Sequence, residues 1–143
     1  NPGMKKTTLL LSILCFMAIP LFSQVDTTIN LCASHIKYPF ISDGQQYQSL
    51  LNEDETAEFY TTFFGGATYR IAGYVGNIKG NLQFSLYDES RNLLYSNADY
   101  SNAPYWDFKF SSTVNCIIEA KIDSKDLKSG RVIMLIGFNN SNL

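Results

Sequence analysis

The feature that most constrains this chain is an alternation of apolar and polar residues with a period of two. Residues 81–88 (NLQFSLYD) put Leu82, Phe84 and Leu86 on one side and Asn81, Gln83, Ser85 and Tyr87 on the other. A strand sends successive side chains to opposite faces, so this spacing predicts a ribbon that is dry on one face and wet on the other. Residues 113–122 (TVNCIIEAKI) repeat the pattern, with Val114, Cys116, Ile118, Ala120 and Ile122 inward and Asn115, Glu119 and Lys121 outward. The same rule groups Phe59, Thr61 and Phe63, then Tyr69, Ile71 and Gly73, then Trp106, Phe108 and Phe110. Residues 131–138 (RVIMLIGF) are apolar on both faces and belong in the middle of a sheet.

Turn signals punctuate these runs. Residues 52–55 (NEDE) and 89–92 (ESRN) are polar turns, and Gly65-Gly66 reads as the tight turn of a two-residue hairpin. Residues 93–97 return as the second strand of another hairpin, and 123–130 form a polar loop. The count is seven or eight strands with no helix after residue 24. Such a chain closes as an all-β, antiparallel β-sandwich of jelly-roll-like form. Residues 25–42 alternate least and contain Pro39, which predicts an edge strand or a strap across one sheet.

The first residues read differently. Asn1-Pro2-Gly3 precede Met4 and read as a tag remnant or upstream read-through. Residues 4–23 read as a signal peptide: Lys5 and Lys6 supply the positive start, 9–20 (LLLSILCFMAIP) the apolar core, and Ser23 the small residue before a cut. The apolar run is shorter than the roughly 20 residues that span a bilayer. Cys15 lies inside the apolar core behind Leu14, which does not suit a lipid anchor. The expected mature domain is therefore 24–143, with no membrane span.

Lys5 and Lys6 leave with the leader, so nine of the 11 basic residues remain against 13 acidic ones, a net formal charge of −4. No Lys/Arg cluster is present, which excludes a phosphate-tracking nucleic-acid surface. Cys32 and Cys116 remain. Export permits a disulfide between them, but a chain of this size does not require one, and both states are open.

Four short segments carry a resemblance. Glu58-Phe59-Tyr60, Gly65-Gly66, Tyr69-Arg70-Ile71 and Leu86-Tyr87-Asp88 follow one another as in the bacterial pre-peptidase C-terminal-type β-sandwich, which the region 45–138 resembles. The resemblance implies the fold and no reaction. Where members of that family carry acids early in the Leu-Tyr-Asp strand, this chain has Asn81 and Gln83, which weakens a calcium reading. The leader ending Phe22-Ser23-Gln24 and the segment 32–44 also resemble small exported proteins of Bacteroidetes without an assigned activity.

Catalytic chemistry finds little support in the residues. His35 is the single histidine, and no nucleophile signature accompanies it. One histidine and two distant cysteines do not make a zinc set. Asp88, Glu89, Asn92, Asp99 and Asn102 lie in two loops that could converge on calcium, but Asp and Asn more often bond their own turns. Glu53, Asp54 and Glu55 share one solvated turn, and Asp107 and Glu119 sit where Lys109 and Lys121 can pair with them. No cofactor is expected.

The aromatic residues are the most informative. Tyr95, Tyr100, Tyr105 and Trp106 bracket the loop 98–104, and Tyr and Trp make hot spots for proteins or platforms for sugars. The alternation of its strand equally turns Trp106 inward with Phe108 and Phe110. The function expected is a secreted or cell-envelope, non-enzymatic binding module for a protein or envelope component. Alternatives are a carbohydrate-binding module using the same loop, a hydrolase with scattered acids, and a self-assembling structural subunit.

Overall fold

The computed structural model describes residues 20–139, with side chains from Thr27 onward. The expected leader up to residue 19 and the residues after 139 lie outside that range. The chain runs as one helix, α1 (Pro20–Ala33), followed by eight strands: β1 (Ile41–Asn52), β2 (Thr56–Phe63), β3 (Thr68–Val75), β4 (Leu82–Asp88), β5 (Leu93–Ser96), β6 (Tyr105–Lys109), β7 (Val114–Ile122) and β8 (Ser129–Asn139). A single 3-10 turn, Asn97–Tyr100, lies between β5 and β6.

The strands form two four-stranded antiparallel sheets, one in the order β1-β8-β3-β6 and the other β2-β7-β4-β5. Every pair of consecutive strands therefore lies in opposite sheets, except the β4–β5 hairpin. This is jelly-roll connectivity, in which the strands of two Greek keys are shared between packed sheets.

The expected inward sets meet between the sheets. Phe63, Ile71, Phe84, Ile118, Met134 and Ile136 are fully buried there, and Cys116, Ala120 and Ile122 line up beside them on β7. Phe63 is the hub of the aromatic part, touching Tyr69 and Phe108 edge-on with ring centroids 4.9 and 4.8 Å away. Edge-to-face geometry sets the positive ring edge against a negative face, so these contacts contribute beyond their burial.

Two expectations are corrected, and one open alternative is decided. Residues 25–42 are not an edge strand: α1 continues to Ala33, turns follow, and β1 begins at Ile41. The helix does strap the outer face of the first sheet. Thr28 and Cys32, one turn apart, are buried, and Cys32 packs with Tyr74 and Ile133 while its Sγ donates to the Ile133 carbonyl at 3.3 Å. That is why β8 is apolar on both faces. One face meets the other sheet and the opposite one meets α1 and the segment after it. Gly137 makes the room, since a β-carbon there would stand 2.9 Å from a methyl of Ile36.

Gly65-Gly66 is not a hairpin turn within one sheet. β2 pairs with β7 and β3 with β6 and β8, so the four residues 64–67 arch from one sheet to the other. Glycine is needed because Gly65 runs against the backbone of Ser112, where a β-carbon would approach within 2.7 Å. Finally, no disulfide joins Cys32 and Cys116. Both are free and buried, one under α1 outside the first sheet and one between the sheets. Burial pushes their thiols up to about 12 and about 11.

β1 is the longest edge strand, twelve residues, and its pairing with β8 shifts register between Ser42 and Gln46. At this bulge the Gln45 N–H donates to Asp43 Oδ1 at 2.8 Å and Gly44 takes φ +82°.

Candidate functional site

β5 and β6 end the two sheets on the same side of the sandwich, and residues 97–104 carry the chain between them. That crossing is anchored by Asn97, which is fully buried. Its Oδ1 accepts from the Phe84 N–H at 2.9 Å, and its Nδ2 donates to the carbonyls of Leu82 at 2.9 Å and Ala103 at 3.1 Å. One amide side chain thus satisfies three backbone groups and ties β4 to the far end of the loop. Ser96 caps the 3-10 turn through the Ala98 N–H, and Ser101 and Asn102 take left-handed φ of 56° and 53° to send the chain back.

Three of the four expected aromatic residues meet on this frame. Tyr95 and Trp106 stack at 4.7 Å with 22° between their planes, and Tyr100 closes on Trp106 at 4.5 Å and on Tyr95 at 5.7 Å. Trp106 is half-buried and packs on Tyr95 and Tyr100 rather than among the core side chains that hold Phe108 and Phe110, while Tyr100 is 50 % exposed. The Tyr95 hydroxyl is buried with no hydrogen-bond partner among the described residues. Burial, then the neighbouring Tyr100 and Asp99, push it up to about 12. Leu93 and Leu94, at the start of β5, are exposed.

Tyr105 is not part of this cluster. It is adjacent to Trp106 on a strand and so points to the opposite face, where its ring stacks on His35 at 4.7 Å. A second group is built there that the sequence reading did not foresee. The Arg70 guanidinium lies between the Phe40 and Tyr105 rings, 4.3 and 4.7 Å from their centroids. It donates twice to Asp107, at 2.6 and 2.9 Å, and once to the His35 carbonyl at 3.1 Å. Asp107 thus pairs with Arg70 across the β3–β6 register rather than with Lys109.

His35 Nε2 and the Tyr74 hydroxyl lie 2.7 Å apart. Burial, and then the charges of Arg70 and Lys37, lower the His35 pKa. Burial raises that of Tyr74. Both shifts favour the uncharged forms of the pair. This group locks the 34–40 segment onto β3 and β6.

Asp88, Glu89, Asn92 and Asn102 are engaged within the protein. Asp88 accepts from both the backbone and side-chain amides of Asn92, at 2.9 and 3.0 Å. Asn102 donates to Asp123 and Gly80, and Asn115 donates to Glu89. No group of three or more His, Cys, Asp or Glu among the described residues could hold a metal ion. No helix among them is long and apolar enough to cross a membrane.

No protein-family model matches the chain, and no curated protein matches it in sequence. Among solved structures it is similar to PliG of Aeromonas hydrophila, a periplasmic inhibitor of g-type lysozyme. That likeness has 9 % identity and a TM-score of 0.52, over 66 % of this chain and 85 % of that one. A de novo designed double-stranded β-helix aligns at 14 % identity over 66 % of this chain and 99 % of the design, with a TM-score of 0.34. The likeness to PliG is one of fold: an antiparallel, all-β architecture built from two sheets.

Proposed function

We propose that this chain is an exported, non-enzymatic binding module of the cell envelope that recognises a protein through the aromatic edge formed by Tyr100 and Trp106. The observation that carries the reading is the three-ring stack. Tyr100 presents about half its surface to water while Trp106 and Tyr95 hold it in place. An aromatic ring already fixed by its neighbours loses little freedom on binding, which is what a hot-spot residue requires.

A sugar platform suits the geometry less well. Stacking on a sugar needs an uncovered ring face, and Tyr95 and Trp106 cover each other. The leader-like residues 4–23 support export, and the fold likeness to a periplasmic lysozyme inhibitor supports a protein-binding role.

The test is affinity capture from an envelope fraction, followed by titration of the purified captured protein. Tyr100→Ala should weaken that binding by about thirtyfold, the effect of losing roughly 2 kcal/mol at a hot spot. Tyr60→Ala, on the exposed face of β2, should leave it unchanged. Equal affinity of the Tyr100→Ala and unaltered chains refutes the site. A g-type lysozyme is the first purified probe to include, given the partner printed for the structural neighbour.

A further inference from the structure

The sandwich has a second concave surface, on the side away from β5 and β6. Where β1 bulges, a cleft of about 420 Å³ opens between β1, the ends of β2 and β8, and the arch 64–67. Its lining includes Phe63, Tyr69 and Ile136, all buried, and Phe64 and Phe138. Phe64 is 62 % exposed. A volume of this size falls within the range of about 300–1,000 Å³ that small-molecule sites occupy.

Asp43 is the one charged side chain in this apolar lining. Its Oδ1 takes the Gln45 N–H, and among the described residues no cation pairs with it: the ion pairs there are Arg70–Asp107, Arg91–Glu58 and Lys128–Glu53. Burial raises its pKa above the ordinary carboxylate value. A carboxylate drawn partly out of water beside phenyl rings, with no counter-charge, gains from any ligand that brings a proton-rich nitrogen.

We propose that this cleft binds a small amphiphilic amine, its aromatic or aliphatic body against Phe63, Tyr69 and Ile136 and its protonated nitrogen donating to the Asp43 carboxylate. A hydrocarbon would strip water from the carboxylate and return nothing to it. An anion would meet like charge. An ammonium group on a short apolar body satisfies both parts of the lining. The site is independent of the aromatic edge, so either can fail without the other.

The experiment is an amide NMR titration of the labelled full chain with benzylamine and, separately, with benzyl alcohol, which has the same ring and no charge. Saturable shifts should fall on residues 42–46, 61–69 and 136–138, with benzylamine binding about tenfold tighter than the alcohol, the ratio for one well-placed charge-assisted bond. Asp43→Asn keeps an oxygen for the Gln45 N–H and so preserves the bulge. It should bring benzylamine to the affinity of the alcohol. Phe64→Ala, at an exposed position, should weaken both ligands alike. Equal affinity of the two ligands for the unaltered chain overturns the proposal. So does an Asp43→Asn variant that binds benzylamine as before, or shifts centred on Tyr100 and Trp106.

Discussion

Replacing Asn97 with alanine removes the tie between β4 and the loop that carries Tyr100. Three hydrogen bonds go with it, and alanine offers no substitute for any of them. Two of the orphaned groups, the Phe84 N–H and the Leu82 carbonyl, belong to residues only 1 % and 3 % exposed, so water cannot replace the lost partner. A buried polar group left without a partner costs about 1–3 kcal/mol, and two of them cost about 3–4 kcal/mol at the middle of that range. That is a large share of the roughly 5–15 kcal/mol that holds a domain folded. The assay is urea unfolding followed by tryptophan fluorescence. Trp106 is the chain's single tryptophan and stacks inside the cluster that the loop supports. The midpoint should fall with the slope unchanged, because the surface exposed on unfolding stays the same. The folded-state emission should also shift as the stack loosens. A loss below about 1 kcal/mol, the worth of one ordinary hydrogen bond, refutes the view that Asn97 holds this end of the sandwich.

Other outcomes follow from the second cluster and the thiols. Arg70→Lys keeps the charge but loses the two-pronged contact with Asp107 and the flat packing between Phe40 and Tyr105; with Asp107 partly in water the cost should be about 1–2 kcal/mol by urea unfolding, and a change under about 0.3 kcal/mol would sink the account. The folded chain holds the His35 pKa below its ordinary 6.5, so the unfolded chain takes up the proton first. That contribution to stability is complete above pH 6.5 and is lost as pH falls towards the lowered folded value. His35→Gln should flatten this slope, and an unaltered slope would contradict it. Cys32 and Cys116 should resist alkylation at mildly alkaline pH in the folded chain and react fully in urea, as peptide mapping would record; rapid modification of either in the folded chain would contradict their burial.

The sandwich was legible because its signal is local and repeated. Leu82, Phe84 and Leu86 declare their face within seven residues, and so does the run from Val114 to Ile122. The helix was not legible. It carries Thr27, Thr28 and Ile29, which favour strands, and it is held by what it lies on, Tyr74 and Ile133, far away in sequence. A turn within one sheet and a crossing between two sheets share the same flanking alternation, so Gly65-Gly66 carries the signal of a hairpin as well as of an arch. Only the partner strands, β7 on one side and β8 and β6 on the other, decide between them.

The candidate site was legible in part. Tyr95, Tyr100 and Trp106 were grouped by their nearness to one loop, and the fold brings them together. Tyr105 was grouped with them although period two already placed it on the opposite face from Trp106. Asn97 and the Arg70–Asp107 pair could not be singled out, since a buried amide and a cross-strand ion pair look in sequence like any loop Asn or surface charge.

The bulge in β1 also bears on strand-to-strand addition. An outermost ribbon of twelve residues would offer a second copy a continuous row of unpaired peptide groups, a template for adding strand to strand. The break between Ser42 and Gln46 cuts that row into a short and a longer run set at different angles, and it plants a carboxylate at the join. A neighbouring chain would have to follow the same shift of register to pair along the whole ribbon, and a bulge of this kind disfavours such edge-to-edge addition.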